Sequence, residues 1–213
     1  MHIPDGILPA SVCGVGYAAT APVIWYSLRR IKKEGDPREN IPKASLLTSA
    51  FFVVSWIHIP VPPTSVHLVL NGLLGAVLGY YAFPAILIGL FFQAVMFQHG
   101  GLTTLGVNAI IMGLPALLAY YIFQLRNIHG NGSRTTSGIF GFLAGFSSIA
   151  MSVPLFLVIL VTNIPAGFDA GTERAAMYTL ALAHVPLMFI EGAFTATVVV
   201  FLWRVRPKML ANA

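Results

Sequence analysis

Seven apolar runs, separated by short polar or charged connections, occupy nearly the whole chain and decide the solvent in which it folds. They cover about residues 7–28, 44–58, 66–82, 84–98, 104–125, 138–162 and 175–203, with ends good to a few residues. Of the 213 residues, 57% are hydrophobic and only 9% charged, where a soluble domain is about a quarter charged. A soluble fold of this size cannot hide that much apolar surface, so lipid is the solvent. The expected fold class is therefore all-α: a polytopic membrane protein of about seven transmembrane helices, forming one domain over residues 1–213. The second, third and fourth runs are short for a bilayer, which takes about 20 residues per helix. The seventh is long and is expected to tilt or to kink near Pro186. Small residues such as Gly72, Gly75, Ala76 and Gly79 allow close helix approach within the bundle.

The pI of 9.6 does not indicate nucleic acid, because the basic residues sit between apolar runs rather than on one surface. Arg29, Arg30, Lys32, Lys33, Arg38 and Lys43 separate runs one and two. Arg126 and Arg134 separate runs five and six, and Arg204, Arg206 and Lys208 follow run seven. A seven-span alternation places all three groups on one side, leaving only Arg174 on the other. The positive-inside rule makes the basic side cytoplasmic, with the N-terminus outside and the C-terminus inside a prokaryotic cell membrane. No Lys or Arg precedes the first run, so a cleaved secretory signal is not expected and the mature chain should begin at or near Met1. The single cysteine, Cys13, forms no intramolecular disulfide and is expected to pack as a small apolar residue.

This topology sorts the six histidines. His129 is cytoplasmic, whereas His2, His58, His67 and His99 fall at outer ends of spans or in outer connections, and His184 lies in the outer half of span seven. Imidazole is a ligand for nickel, copper, zinc and cobalt. The outer acidic residues Asp5, Asp169 and Glu173 form no carboxylate pair, which disfavours magnesium or calcium. The first two residues add a chelate. A free amine on Met1, the backbone nitrogen of His2 and His2 Nδ1 close a five- and a six-membered ring around one metal and hold three nitrogens in a plane. One further imidazole completes a square, the geometry of Ni(II) or Cu(II) rather than tetrahedral Zn(II). His67 is the expected fourth ligand, starting span three after Pro60-Val61-Pro62-Pro63, with His58 as its rival. Asn71, four residues on along a helix face, is expected to orient that ring or a bound water. Asp5, His99, Thr103 and Asn108 are further candidates to surround the metal and hold its ligands. Glu191, the one acidic residue inside a span, is a functional candidate because ionisable groups in lipid are costly.

The start Met1-His2-Ile3-Pro4-Asp5-Gly6, the triplet Ser65-Val66-His67 and the run from His99 to Asn108 (HGGLTTLGVN) resemble the CbiM/NikM family. These are substrate-capture (S) components of energy-coupling-factor transporters for cobalt and nickel. The resemblance spans essentially the whole chain and is closest to the NikM branch. It implies a six-helix core with an additional N-terminal helix. It also implies metal ligation by Met1, His2 and His67, with Ni(II) as the transported substrate, Co(II) as the alternative, and no organic cofactor. The implied partners are a transmembrane coupling (T) component, cytoplasmic ATPase subunits and, in some systems, a small accessory membrane subunit, all within the lipid bilayer and without nucleic acid. The chain itself is expected to be no enzyme, since it carries no phosphate-binding GxxxxGK loop. Three other classes share the topology: an S component for an organic vitamin, a membrane metallohydrolase using His184 and Glu191, and a passive metal channel. The hydrolase would lack both HExxH and paired carboxylates.

Overall fold

The computed structural model describes residues 2–61, 64–130 and 132–211. Seven membrane-length or partial helices follow the seven apolar runs: α1 (Ala10–Glu34), α2 (Ile41–Val54), α3 (Asn71–Leu78), α4 (Ala82–Phe97), α5 (Leu105–Gly130), α6 (Arg134–Thr162) and α7 (Ala170–Val205). A short turn of helix, α8 (Lys208–Ala211), follows α7. Between α2 and α3 lies an antiparallel hairpin of β1 (His58–Val61) and β2 (Thr64–His67), which the hydropathy pattern does not reveal. Local chemistry sets several helix starts. Ser133 accepts from the Thr136 amide before α6, and Asp169 accepts from the Thr172 amide before α7. Lys32 and Lys33 close the last turn of α1, at the negative end of its dipole. The α7 helix runs unbroken through Pro186 for 36 residues, about 54 Å at 1.5 Å per residue.

By length and composition, four helical stretches can cross a membrane: 71–97, 105–129, 134–162 and 170–205. The first of them is a helical hairpin rather than one straight rod. A straight 27-residue helix would separate its ends by about 40 Å. Instead, the rings of His67 and His99, which flank α3 and α4, are 5.4 Å apart. The chain reverses at Gly79, whose φ of 58° is open to glycine without strain, followed by a tight turn over Gly79–Tyr81. The first arm is only eight residues of helix, lengthened by the non-helical segment from His67 to Leu70. This explains why the third and fourth apolar runs are short.

All eight residues of α3 are buried, and α3 packs against α5 and α6 through glycine. A Cβ on Gly75 would strike the carbonyl oxygen of Ala116, and one on Gly72 would strike the backbone of Gly145. The bundle is apolar on the outside: Val15 and Trp25 on α1, Ile88 and Met96 on α4, Val158 on α6, and Leu182 and Phe201 on α7 are exposed. Polar Asn71, Ser148, Ser152, Glu191 and Thr195 are fully enclosed. That inversion suits a multi-pass membrane protein, in which lipid covers the apolar rim.

The two ends of the bundle differ in chemistry. At one end, Arg126 donates to the Leu210 carbonyl (2.6 Å), Lys43 to the Met209 carbonyl (3.4 Å) and Trp203 Nε1 to the Gly132 carbonyl (2.9 Å). These bonds gather the start of α2, the end of α5, the start of α6 and the C-terminal turn. The opposite end holds His2, His67 and His99. Replacing Gly75 by Ala puts a methyl group into the Ala116 carbonyl, and a loss of about 1–3 kcal/mol is expected. Gly14→Ala, with nothing within 4 Å of the new atom, is expected to be neutral. Thermal unfolding of both variants in detergent checks the contrast.

Candidate metal centre

The residues before α1 do not trail into solvent but dock on the start of α5. Asn108 holds both polar groups of Ile3: its Oδ1 accepts from the Ile3 amide at 2.9 Å and its Nδ2 donates to the Ile3 carbonyl at 3.0 Å. Thr104 Oγ1 donates to the same carbonyl at 2.6 Å, and Ile3 is fully buried. Asp5 makes the second anchor. Its carboxylate accepts from the amides of Leu102 (3.0 Å) and Thr103 (2.9 Å) and from the Thr103 hydroxyl. The Thr103 hydroxyl, with the loop amides behind it, holds the Asp5 carboxyl below its ordinary value. Gly101 has no room for a side chain, since a Cβ there would meet the Asp5 carboxylate. Helix α1 braces the same loop, with the Tyr17 hydroxyl donating to the Leu102 carbonyl and Thr20 to the Gly106 carbonyl.

This docking delivers His2 to two other imidazoles. Ring centroids are 4.2 Å apart for His2 and His99, and 5.3 Å for His2 and His67. One ring nitrogen from each of the three residues lies within 4.8 Å of the other two. Metal–nitrogen bonds of about 2.0–2.1 Å put opposite ligands roughly 4 Å apart, so the cluster matches the scale of one ion. His67 comes from the end of β2 and His99 from just beyond α4. Gln98 ends that helix in the left-handed conformation (φ 53°), its amide returning to the Ala94 carbonyl. The His99 amide then donates to the Gln93 carbonyl at 3.1 Å.

Hydrogen bonds assign the nitrogens. His2 Nε2 is 2.9 Å from Gln93 Oε1, and the Gln93 amide nitrogen donates to Ser55 Oγ at 2.8 Å. Ser55 in turn donates to the Phe52 carbonyl. Gln93 therefore presents its oxygen to His2, the proton sits on Nε2, and Nδ1 keeps its lone pair. His2 Nδ1 is buried with no hydrogen-bond partner among the described residues. His67 Nδ1 lies 2.9 Å from the Leu68 carbonyl, which can only accept, so the proton sits on Nδ1 and the lone pair of the ring is on Nε2. Burial, reinforced by the neighbouring His99 and His67 rings, pushes the His2 imidazole well below its ordinary value. The ring is thus neutral and ready to bind metal at neutral pH.

Comparisons with known proteins place the chain in a family. Residues 2–209 match the CbiM family model, described as the cobalt uptake substrate-specific transmembrane region. The chain belongs to the CbiM family. A Haemophilus influenzae protein named for metal transport is 30% identical over 211 residues, covering 99% of this chain and 97% of that protein. A fused nickel transport protein NikMN of Rhodobacter capsulatus is 31% identical over 229 residues, but this chain spans only 64% of it. A crystal structure of a truncated transition metal transporter superposes with a TM-score of 0.76 at 24% identity, over 96% of this chain and 99% of that one, which shows a common fold.

Within this CbiM-family chain, the expected site residues divide clearly. His2, His67 and His99 come together, while Asp5, Thr103 and Asn108 hold the N-terminal segment against the bundle. Met1 lies outside the described residues, as do Pro62, Pro63 and the His58 side chain; the His58 backbone pairs with His67. Asn71 is a correction. His67 ends a strand rather than starting a helix, so the two residues share no helix face, and Asn71 Nδ2 donates to Ser152 on α6 at 3.2 Å. His184, buried on α7, directs Nδ1 to the Leu180 carbonyl one turn back. Gln93 was not foreseen, because its only signal in the sequence is a polar residue inside an apolar run. Replacing Gln93 by Leu frees the His2 ring to rotate and change tautomer, and a loss of about 10–100-fold in Ni(II) or Co(II) affinity is expected. Metal titration of the folded variant measures it.

Proposed function

We propose that this chain is the substrate-capture component of an ATP-driven, energy-coupling-factor uptake transporter, and that it takes Ni(II) from the outer side of the membrane. The observation that carries the reading is His2 Nδ1, buried without a hydrogen-bond partner among the described residues, on a ring held through Nε2 by Gln93 and set beside the His67 and His99 rings. A buried polar atom left without a partner is costly and calls for an explanation, which a bound cation supplies. The proposed ligands are the Met1 amine, the His2 amide nitrogen and Nδ1, and His67 Nε2. Metal displaces the amide proton by polarising the nitrogen, as it acidifies bound water. The four nitrogens form a square, the arrangement of Ni(II). His99 stands close enough to approach along the axis. Co(II) tolerates such a fifth nitrogen better than low-spin Ni(II), so cobalt is the second reading.

Two features support capture rather than pumping by this chain alone. The basic end carries the clusters that face the cytoplasm under the positive-inside rule, which leaves the histidine end outside. The sequence holds no phosphate-binding loop, so ATP hydrolysis falls to cytoplasmic ATPase subunits coupled through a transmembrane T component, with a small accessory membrane subunit as a further partner. Glu191 and His184 are both engaged elsewhere, on backbone groups, which leaves the metallohydrolase alternative without its acid–base pair.

One residue added before Met1 removes the terminal amine from the chelate. Loss of Ni(II) retention with unchanged folding is expected, and near-normal nickel in that variant, measured by elemental analysis, defeats the ligand set. His67→Ala is expected to cost about 100-fold or more in affinity, beyond the range for a supporting partner, whereas His129→Ala, exposed at the basic end, is expected to change nothing. Proton release gives an independent check. The α-amine, with a pKa near 8, and the His2 amide each lose a proton on binding, while burial already keeps the His2 imidazole neutral. About two protons should leave per metal at pH 7, so affinity falls about 100-fold for each pH unit of acidification. Calorimetry in buffers of different ionisation enthalpy counts these protons; a count near zero contradicts an amine–amide chelate.

A further inference from the structure

Glu191 is fully buried in the middle of α7, and the metal site described above does not use it directly. Its hydrogen-bond partners among the described residues are backbone amides of the segment that leaves β2. Oε1 accepts from Val69 N and from Leu70 N (3.1 Å), and Oε2 from Leu70 N (3.2 Å). Glycine contacts make this reach possible. Gly145 on α6 lies against the Glu191 backbone, and Gly72 on α3 lies against Gly145. Leu70 adopts a left-handed conformation (φ 58°) that branched residues disfavour. That conformation turns two successive amides toward one carboxylate at the start of α3, where the helix dipole also favours negative charge.

One peptide group joins this carboxylate to a proposed metal ligand. The Leu68 carbonyl accepts from His67 Nδ1, and the N–H of the same Leu68–Val69 peptide donates to Glu191. The order is imidazole, peptide, carboxylate. Hydrogen bonds in such a chain polarise one another, so the carboxylate makes the carbonyl a stronger acceptor and His67 Nε2 a stronger base. Carboxylates that bond directly to metal-binding histidines fix ring tautomer and orientation in the same way. We infer that Glu191 is a positioning residue for His67, acting through the Leu68–Val69 peptide to hold the ring with Nε2 toward the metal. The role also ties the ligand strand to α7, the longest helix of the bundle, so a shift of α7 would be felt at the ion.

The inference rests on the reading of His67 as a ligand, and a double-mutant cycle separates the two. Ni(II) affinity and the ligand-field spectrum are measured for Glu191→Ala, His67→Ala and the double variant in purified, untagged protein. Glu191→Ala is expected to weaken binding about 10–100-fold and to shift the spectrum toward that of His67→Ala. In the His67→Ala background it is expected to add nothing, because the group it acts through is gone. Thr195→Val, a buried change one turn further along α7, is expected to leave metal binding intact. Equal losses from Glu191→Ala on both backgrounds, or no loss at all, overturn the positioning role. Wild-type affinity in His67→Ala instead overturns the ligand set itself. If the alanine variant does not fold, Glu191→Gln serves. It keeps an acceptor for Val69 but turns an NH2 group toward Leu70, so a loss of about 3–10-fold is expected, and wild-type affinity in that variant overturns the inference.

Discussion

Asn108 grips Ile3 at both its backbone N–H and its carbonyl, and the rest of the site depends on that grip. A chain terminus is ordinarily the least ordered part of a domain. Here two side-chain bonds to the backbone of one buried residue, a third from Thr104 and the Asp5 anchor make this N-terminal segment part of the packed structure. Once Ile3 is fixed, His2 has little freedom, and its ring lies between Gln93 on one side and His67 and His99 on the other. Without the clasp there is a helical bundle and two histidines, but no enclosed cluster.

The three imidazoles arrive on three separate pieces of chain: the docked terminus, the end of a strand, and the residue beyond a helix. Each is aimed by backbone geometry rather than by helix periodicity. Leu70 and Gln98, the non-glycine residues with positive φ among the described residues, lie three residues after His67 and one before His99. Departures from comfortable backbone tend to gather where side-chain direction matters. Ring tautomers are also set, by Gln93 for His2 and by the Leu68 carbonyl for His67. The three imidazoles are therefore arranged by the protein alone, and on the proposed reading this lowers the ordering cost of binding an ion. On the proposed reading, the same construction offers a route to release, because moving either the docked N-terminal segment or the strand end that carries His67 breaks the coordination plane.

Membership of the CbiM family places this architecture among metal transport components, and the fused relative, of which this chain spans 64%, shows the same region continuing into additional sequence. The all-helical expectation holds for the bundle, with the β1–β2 hairpin as an insertion at the histidine end. That hairpin replaces the first turns expected of the third span. It allows the following helix to be short and wholly buried, with glycine at its contacts to α5 and α6.

The number of helices, their lipid setting and the grouping of basic residues at one end followed from hydropathy and charge, because each is a one-dimensional pattern whose cause, the bilayer, acts on every span alike. That His2, His67 and His99 share one end of the bundle was legible because the same topology put all three at outer ends of spans or in outer connections, and their rings do come together. The strand that carries His67, the clasp of Asn108 on Ile3, the Gln93 bond across 91 positions of sequence and the Glu191 contact with the Leu68–Val69 peptide were decided by tertiary structure alone. They are bonds between groups far apart in the chain. A lone glutamine or glutamate in an apolar run states only that a polar group must find a partner, and packing chooses which partner it finds.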